Sequence, residues 1–420
     1  MEKIKTKKGE IVNGKTLIAA VDLGKATNTG YWRCPDGTDI KPFEFFNNGW
    51  GFNKFWSSIS KSMKAHNLEE VVVGLESTGP YGEPLIHYLK KRPVKLVQVN
   101  PMHTKKLKEL QGNSPNKTDK KDPRVIADII KLGHALSLIV PEGIPAQLRR
   151  LTHARERSMG RRTALLNQLQ DLVFLIFPEF LQVMKGIKAK SAQYLLKYHP
   201  TPQDIVKYGL EPLTLSLKRI SRGQLGEQRA RALYEGAIRS VGLKEGQESI
   251  LFEIRNILAL VEASDCFIAE VGKKMSDYLK QIPYSKFITS LKGIGEITTA
   301  GLIGEVGDFR QFKTVSEITK LAGLDLFEIS SGKHKGQRHI SKRGRSLMRK
   351  LLYFAAINVV RKGGILHEPY QRYLQRGMEK MKALIAIAKK LLRIIYALVR
   401  DHSNYIHGYT KTELFLKEVA

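Results

Sequence analysis

Cysteine is nearly absent from this chain, and acidic residues are scarce beside basic ones. The 420 residues include two cysteines, Cys34 and Cys266, far apart and in no metal-ligand spacing to each other. Neither a disulfide framework nor a zinc site is indicated, and a reducing cytosol suits the chain. No run approaches the roughly 18 to 20 apolar residues that a bilayer span requires. The most apolar stretch, 383–399, is interrupted by Lys389, Lys390 and Arg393. Its Leu384, Ile387, Leu391, Ile394 and Leu398 follow helical spacing, which predicts a packed amphipathic helix. Residues 1–15 are charged without an apolar core, so they are not a secretory signal. A cytoplasmic protein is expected.

The acidic shortfall is large: 40 Asp+Glu stand against 70 Lys+Arg, a formal charge of +30. With 42% hydrophobic and 26% charged residues the chain still has the profile of a folded protein. A polyanionic partner is implied. Between Ile329 and His367 there is no Asp or Glu at all, but positive charge is also spread over other segments. That distribution suits a long nucleic-acid track better than a lipid patch.

The length predicts two or three domains. Residues 1–15 form a basic tail. From 16 to 145 apolar strand-like runs (17–22, 43–46, 71–76, 94–99) alternate with helix-like segments (52–66, 81–91), an α/β pattern. From 146 to 282 the chain turns all-α. Leu165, Leu166, Leu169, Leu172, Val173 and Ile176 form one stripe that Pro178 ends or kinks. Ile254, Ile257, Val261, Ile268, Val271 and Met275 repeat at coiled-coil intervals, with Ser264 on the same seam, fitting either a subunit contact or an intramolecular hairpin. Residues 283–400 are Gly-rich, basic and helical, and 401–420 form a tail.

Residues 9–16, G-E-I-V-N-G-K-T, satisfy the phosphate-binding loop pattern. A true loop follows a buried strand and opens a helix. Here a charged tail precedes and a strand follows, so nucleotide binding is rejected.

Chemistry is carried elsewhere. Asp22 closes the first strand and Glu76 a later one, at sheet ends where side chains of neighbouring strands can meet. In K-T-D-K-K-D-P-R, Asp119 and Asp122 lie one helical turn apart. The bland reading of Asp122 is a helix N-cap before Pro123. As a group, however, four carboxylates would repel, by about 4 kcal/mol per pair at 4 Å and an effective dielectric of 20, unless a cation joined them. All-oxygen ligands favour Mg²⁺ or Mn²⁺, and a pair of such ions suits displacement at phosphorus.

Near the C-terminus, Gly293-Ile294-Gly295 before a helix is a turn of the helix-hairpin-helix kind, which aims backbone amides at a DNA phosphate. Further on, Ser330, Ser331 and Gly332 precede dense positive charge. Eight Lys or Arg residues fall between Lys333 and Lys350. Lys333, Lys335, Arg338, Lys342, Arg343 and Arg345 are candidates for holding phosphates rather than reading bases. A Ser-Gly pair alone is an ordinary turn.

D-L-G-K at Asp22, E-S-T-G-P-Y at Glu76 and K-T-D-K-K-D at Lys117 resemble the Asp-Glu-Asp-Asp tetrad of transposases of the insertion-sequence 110 family. The later A-G-L, S-G and I-S-K-x-G frame resembles the same family's C-terminal domain. Together the likeness runs from about Leu17 to Val399. It implies a RuvC-like, ribonuclease H-type first domain with metal held by Asp22, Glu76, Asp119 and Asp122. It also implies that Ser331 attacks the scissile phosphate through a transient phosphoserine-DNA link. A noncoding guide RNA, dimers and tetramers, and a site shared between subunits are further implications, with the 250–279 helix as the candidate contact. Pro123 departs from the Ala common in the family. A metal-only junction-resolving nuclease and a noncatalytic nucleic-acid binder are the competing readings.

Overall fold

The computed structural model describes residues 12–76, 79–111, 122–328, 336 and 338–406. The chain divides into two compact units, Met1–Ile139 and Val140–Ala420.

The first unit has strands β1 (Thr16–Asp22), β2 (Thr27–Arg33), β3 (Phe43–Phe46), β4 (Glu70–Glu76), β5 (Lys95–Val99) and β6 (Leu136–Ser137), with helices α1 (Gly49–Ala65), α2 (Glu83–Lys90), α3 (Pro101–Gln111) and α4 (Asp122–Lys131). Its sheet order is β3-β2-β1-β4-β5-β6. β1, β4 and β5 are parallel, and the outer strands join antiparallel. β1 is an unbroken apolar run because both of its faces are covered. Leu17, Ala19 and Val21 pack with Phe52, Phe55, Ile59, Leu85 and Leu89 of α1 and α2. Ile18 and Ala20 pack with Val72, Ile126 and Ile130 on the α4 side. This mixed α/β sheet agrees with the RuvC-like expectation.

β2, T-N-T-G-Y-W-R, is absent from the expected strands because Gly30 and polar residues interrupt its pattern. The glycine makes room: a Cβ there would lie 2.9 Å from Phe55 and 3.0 Å from Phe45, whose rings stack at 4.9 Å. Thr16, the last residue of the rejected phosphate-loop match, opens β1 and not a helix.

The second unit begins with two 34-residue helices separated by smaller ones: α5 (Gly143–Ile176), α6 (Pro178–Met184), α7 (Lys190–Tyr198), α8 (Pro202–Tyr208), α9 (Leu210–Ile220), α10 (Glu227–Ile238) and α11 (Gln247–Lys280). Gln168 donates to Glu253 at 2.6 Å and Arg162 pairs with Asp265, so α5 and α11 run antiparallel. Pro178 stands where the sequence puts a break, at the first residue of α6. Leu166, Leu169, Val173 and Ile176 meet Ile254, Ile257 and Val261 in one core that the short helices cap. The coiled-coil-like seam of α11 is therefore buried within the chain, the hairpin alternative. Phe252, Leu260 and Phe267 are exposed on the same helix.

The remainder comprises α12 (Ser285–Thr289), α13 (Glu296–Val306), α14 (Val315–Ala322), β7 (Leu326–Glu328), β8 (Arg338–Ile340), α15 (Ser346–Val359), α16 (His367–Gln375) and α17 (Lys380–Arg400). The amphipathic reading of 383–399 holds for α17, whose buried face includes Ile387, Leu391 and Ile395. Among the described residues no helix is long and apolar enough to cross a membrane. α13 crosses α5 almost backbone to backbone at Gly304, where a Cβ would meet the Arg149 nitrogen at 2.6 Å and the Leu148 carbonyl carbon at 2.8 Å. Neither atom can swing aside as a side chain does, so the helices must separate. Gly304→Ala is expected to cost about 1–3 kcal/mol, read as a lower urea midpoint with an unchanged m-value.

Candidate active site

Strand alternation decides which carboxylates meet. Ile18, Ala20 and Asp22 share one face of β1, and Val72, Gly74 and Glu76 share one face of β4. The β1–β4 register pairs Val21 with Leu75, so Asp22 and Glu76 end adjacent parallel strands. Both belong to the face that α4 covers.

The direction of α4 follows from its contacts. Ile130 lines a cavity with Ile18 and Arg33 at the start of β1. A Cβ on Gly74 would touch Ile130 at 2.2 Å and Ile126 at 3.3 Å. Asp122 lies one helical turn before Ile126, a rise of about 6 Å. Glu76 lies two strand residues past Gly74, about 6.6 Å. α4 thus runs antiparallel to β1 and β4, and its first residue, Asp122, arrives at the end of the face where Asp22 and Glu76 stand.

Asp122 is buried, and Lys108 of α3 forms an ion pair with it. Asp22 and Glu76 are half-buried and also engaged in interactions. The three carboxylates share this end of the sheet without forming a group whose oxygens all lie within 4.8 Å. A pair of metal ions, about 3.5–4 Å apart, spreads its ligands more widely than a single ion does. An all-carboxylate donor set with a lysine ammonium already drawn to one member fits divalent cations. Asp119, the fourth expected ligand, lies outside the described residues.

The loops behind these carboxylates are latched by residues that the sequence motifs do not single out. Asn28 accepts from the Gly24 amide at 3.1 Å and donates to Asn47 at 3.2 Å. Asn47 in turn donates to the carbonyls of Gly24 at 3.0 Å and Tyr81 at 3.1 Å. It thereby ties the turn after Asp22 to the segment after Glu76. Gly24 is required in D-L-G-K because a Cβ there would strike the Thr27 carbonyl at 2.0 Å. Nothing in the local sequence marks Asn28 or Asn47, since their partners are distant in the chain.

In the second unit, A-G-L and I-S-K-x-G interlock. Gly323 ends α14 in the left-handed region. The Lys342 amide donates to the Gly323 carbonyl at 3.0 Å, the Arg345 amide to Leu321 at 2.8 Å, and the Ser341 amide to Asp325 at 2.7 Å. A Cβ on Gly344 would sit 2.4 Å from the Leu321 carbonyl oxygen. This frame supports β7 and β8, paired from Leu326↔Ile340 to Glu328↔Arg338. Ser330, Ser331, Gly332, Lys333 and Lys335, between the two strands in sequence, lie outside the described residues.

Of the expected phosphate-holding residues, Arg338, Lys342 and Arg343 are exposed, and Arg338 pairs with Glu328 at 2.8 Å. Arg345 differs: it is half-buried, and burial, then Arg149, push its guanidinium down to about 10. Its charge belongs to an internal network with the buried Glu305. Gly293, at φ +104°, turns the chain between α12 and α13, and Gly295 precedes the first residue of α13.

Two family models match the chain in order. A transposase model, the DEDD domain of the IS110 type, matches residues 19–178. The model described as Transposase IS116/IS110/IS902 family matches residues 285–371. The insertion element IS116 44.8 kDa protein of Streptomyces clavuligerus is 26% identical over 289 residues, 68% of this chain and 71% of that one. The insertion element IS110 43.6 kDa protein of Streptomyces coelicolor is 21% identical over 392 residues, 93% and 95% of the two chains. The pilin gene-inverting protein of Moraxella bovis is 30% identical over 127 residues, 29% and 38% of the two. The DEDD match implies divalent-metal use, and the two models cover both the carboxylate unit and the interlocked glycine frame. The chain belongs to the IS110 family of transposases, enzymes that act on DNA.

Proposed function

We propose that this transposase cuts and rejoins DNA with Ser331 as nucleophile, assisted by divalent metal held by Asp22, Glu76, Asp119 and Asp122. The convergence of Asp22, Glu76 and Asp122 on the α4-covered end of the sheet carries this reading. Bound there, Mg²⁺ or Mn²⁺ would supply charge stabilisation at phosphorus. The seryl Oγ forms a bond to phosphorus as the bond to the DNA 3′ oxygen breaks. The hydroxyl proton passes to a carboxylate or solvent, and the departing 3′ oxygen takes a proton from solvent to leave as a hydroxyl. One phosphate ester replaces another, so no ATP is needed, in keeping with the rejected phosphate loop.

Exposed Arg338, Lys342 and Arg343 would hold the backbone, each phosphate contact adding to the salt dependence of binding. The turn at Gly293 and Gly295 would add backbone amides, and Lys333 and Lys335 further charge. A structured noncoding guide RNA, and dimers or tetramers that share the site between subunits, complete the proposal. The family resemblance supports both, and the charge of +30 fits a nucleic-acid partner. A gene-inverting relative fits strand exchange, since inversion requires both cutting and rejoining.

The test is a denaturing gel of purified protein incubated with guide RNA, labelled element-end DNA and Mg²⁺. A covalent protein-DNA adduct is expected, and Ser331→Ala should remove it while DNA binding stays intact. An adduct that persists in Ser331→Ala rejects this nucleophile. Cleavage without any adduct favours a metal-only nuclease instead.

A further inference from the structure

At the other end of the same sheet a second cluster of ligand-type side chains is assembled from two separated pieces of chain. Cys34 follows β2, Asp36 lies in the turn beyond it, and His66 caps the end of α1. Among the described residues this is the one group of three or more His, Cys, Asp or Glu whose ligand atoms all lie within 4.8 Å of one another. We propose that Cys34, Asp36 and His66 bind a zinc ion, with a fourth position left to water or an outside ligand.

The donor set fits. Zinc takes thiolate, imidazole and carboxylate at about 2.0–2.3 Å, and tetrahedral ligands then stand roughly 3.5 Å apart. His66 Nδ1 and Asp36 Oδ2 are already separated by 3.5 Å. Two of the ligands are held in place by the backbone. The Cys34 amide donates to the Thr38 carbonyl at 2.8 Å, and the Gly37 amide donates to the Cys34 carbonyl at 3.1 Å. Asp36 Oδ1 accepts from the Thr38 amide at 2.8 Å, which leaves Oδ2 facing His66. The Cys34 thiol is buried and makes one weak polar contact, with Ser62 Oγ at 3.5 Å.

Binding would replace the thiol proton, released to solvent, by a Zn–S bond. The ion would fasten the β2–β3 turn to the end of α1. Arg33 pairs with Ile18 and Thr29 with Asp22, so Cys34 lies about 13 Å or more along β1 from the carboxylate end. The site is therefore separate from the proposed catalytic one.

The experiment uses the full-length Cys266→Ser protein stripped of metal and titrated with Co²⁺, then Zn²⁺. One Co²⁺ per chain should produce a thiolate-to-cobalt charge-transfer absorption that Zn²⁺ displaces. Carboxylates give no such band, so metal at Asp22 and Glu76 does not confuse the result. Cys34→Ser should abolish the band, and His66→Ala and the exposed Asp36→Asn should weaken affinity at least about tenfold. Absence of the band in the Cys266→Ser protein, its survival in Cys34→Ser, or unchanged affinity in folded Asp36→Asn would each overturn the site.

Discussion

Asp22→Asn is expected to lower metal-dependent DNA cleavage by at least about a thousandfold while leaving the first unit folded. The substitution keeps the shape of the side chain and removes one charge from the proposed metal-binding group. The strand does not depend on that charge for its place. Leu17, Ile18, Ala19, Ala20 and Val21 are all at most 5% exposed and anchor β1 between two helical layers. Urea unfolding in the presence of a chelator should therefore remain a single cooperative transition, as the apolar anchoring of β1 requires. Calorimetric titration with Mg²⁺ or Mn²⁺ should show weakened binding, and Glu76→Gln should behave alike. Cleavage within tenfold of the parent would remove Asp22 from the chemistry.

Asp122→Asn differs instructively, because it also breaks the ion pair with Lys108. Loss of stability there would accompany loss of activity, so Asp22 is the cleaner probe.

The strand ends at Asp22 and Glu76 were legible because their signal is local. An apolar run ending in Asp22 and another ending in Glu76 identify strand ends, and period-two alternation then assigns their faces. β1, β4 and β5 stand out for the same reason, since strands covered on both sides are continuously apolar. β2 does not, because its packing depends on a missing side chain at Gly30 and on rings from β3 and α1. Long-range polar partners are equally silent. Asn47 gains meaning only when two loops meet on it, and Cys34 only when the end of α1 brings His66 alongside. The α11 stripe announces a partner helix but not which chain supplies it; α5 does.

Glu305, in G-E-V-G, reads as an ordinary surface glutamate, yet it is 1% exposed. Its neighbours explain why it is tolerated. Burial raises its pKa, but the hydrogen bond from His153 at 2.8 Å and the charges of Arg149 and Arg345 outweigh this and hold it below the usual glutamate range. Glu305→Gln would leave two arginines close together with no carboxylate between them. A loss of about 3 kcal/mol at pH 7 is expected, the scale seen when one partner of a buried pair is removed.

The pH dependence gives this claim a sign. A carboxylate whose folded pKa is depressed contributes stability above its unfolded value, near 4.3, and that contribution disappears as pH falls through the lower folded value. The parent and Glu305→Gln proteins should therefore converge in stability on acidification below about pH 4 and stand furthest apart near neutrality. Urea midpoints taken across that range decide the matter, and a gap that is constant with pH would mean that shape rather than charge sets the cost. The position links packing to function. Arg345 leads directly out of I-S-K-x-G into α15, so the Glu305 charge holds the glycine frame that supports β7 and β8. Loosening it should slow strand exchange even at temperatures where the second unit remains folded.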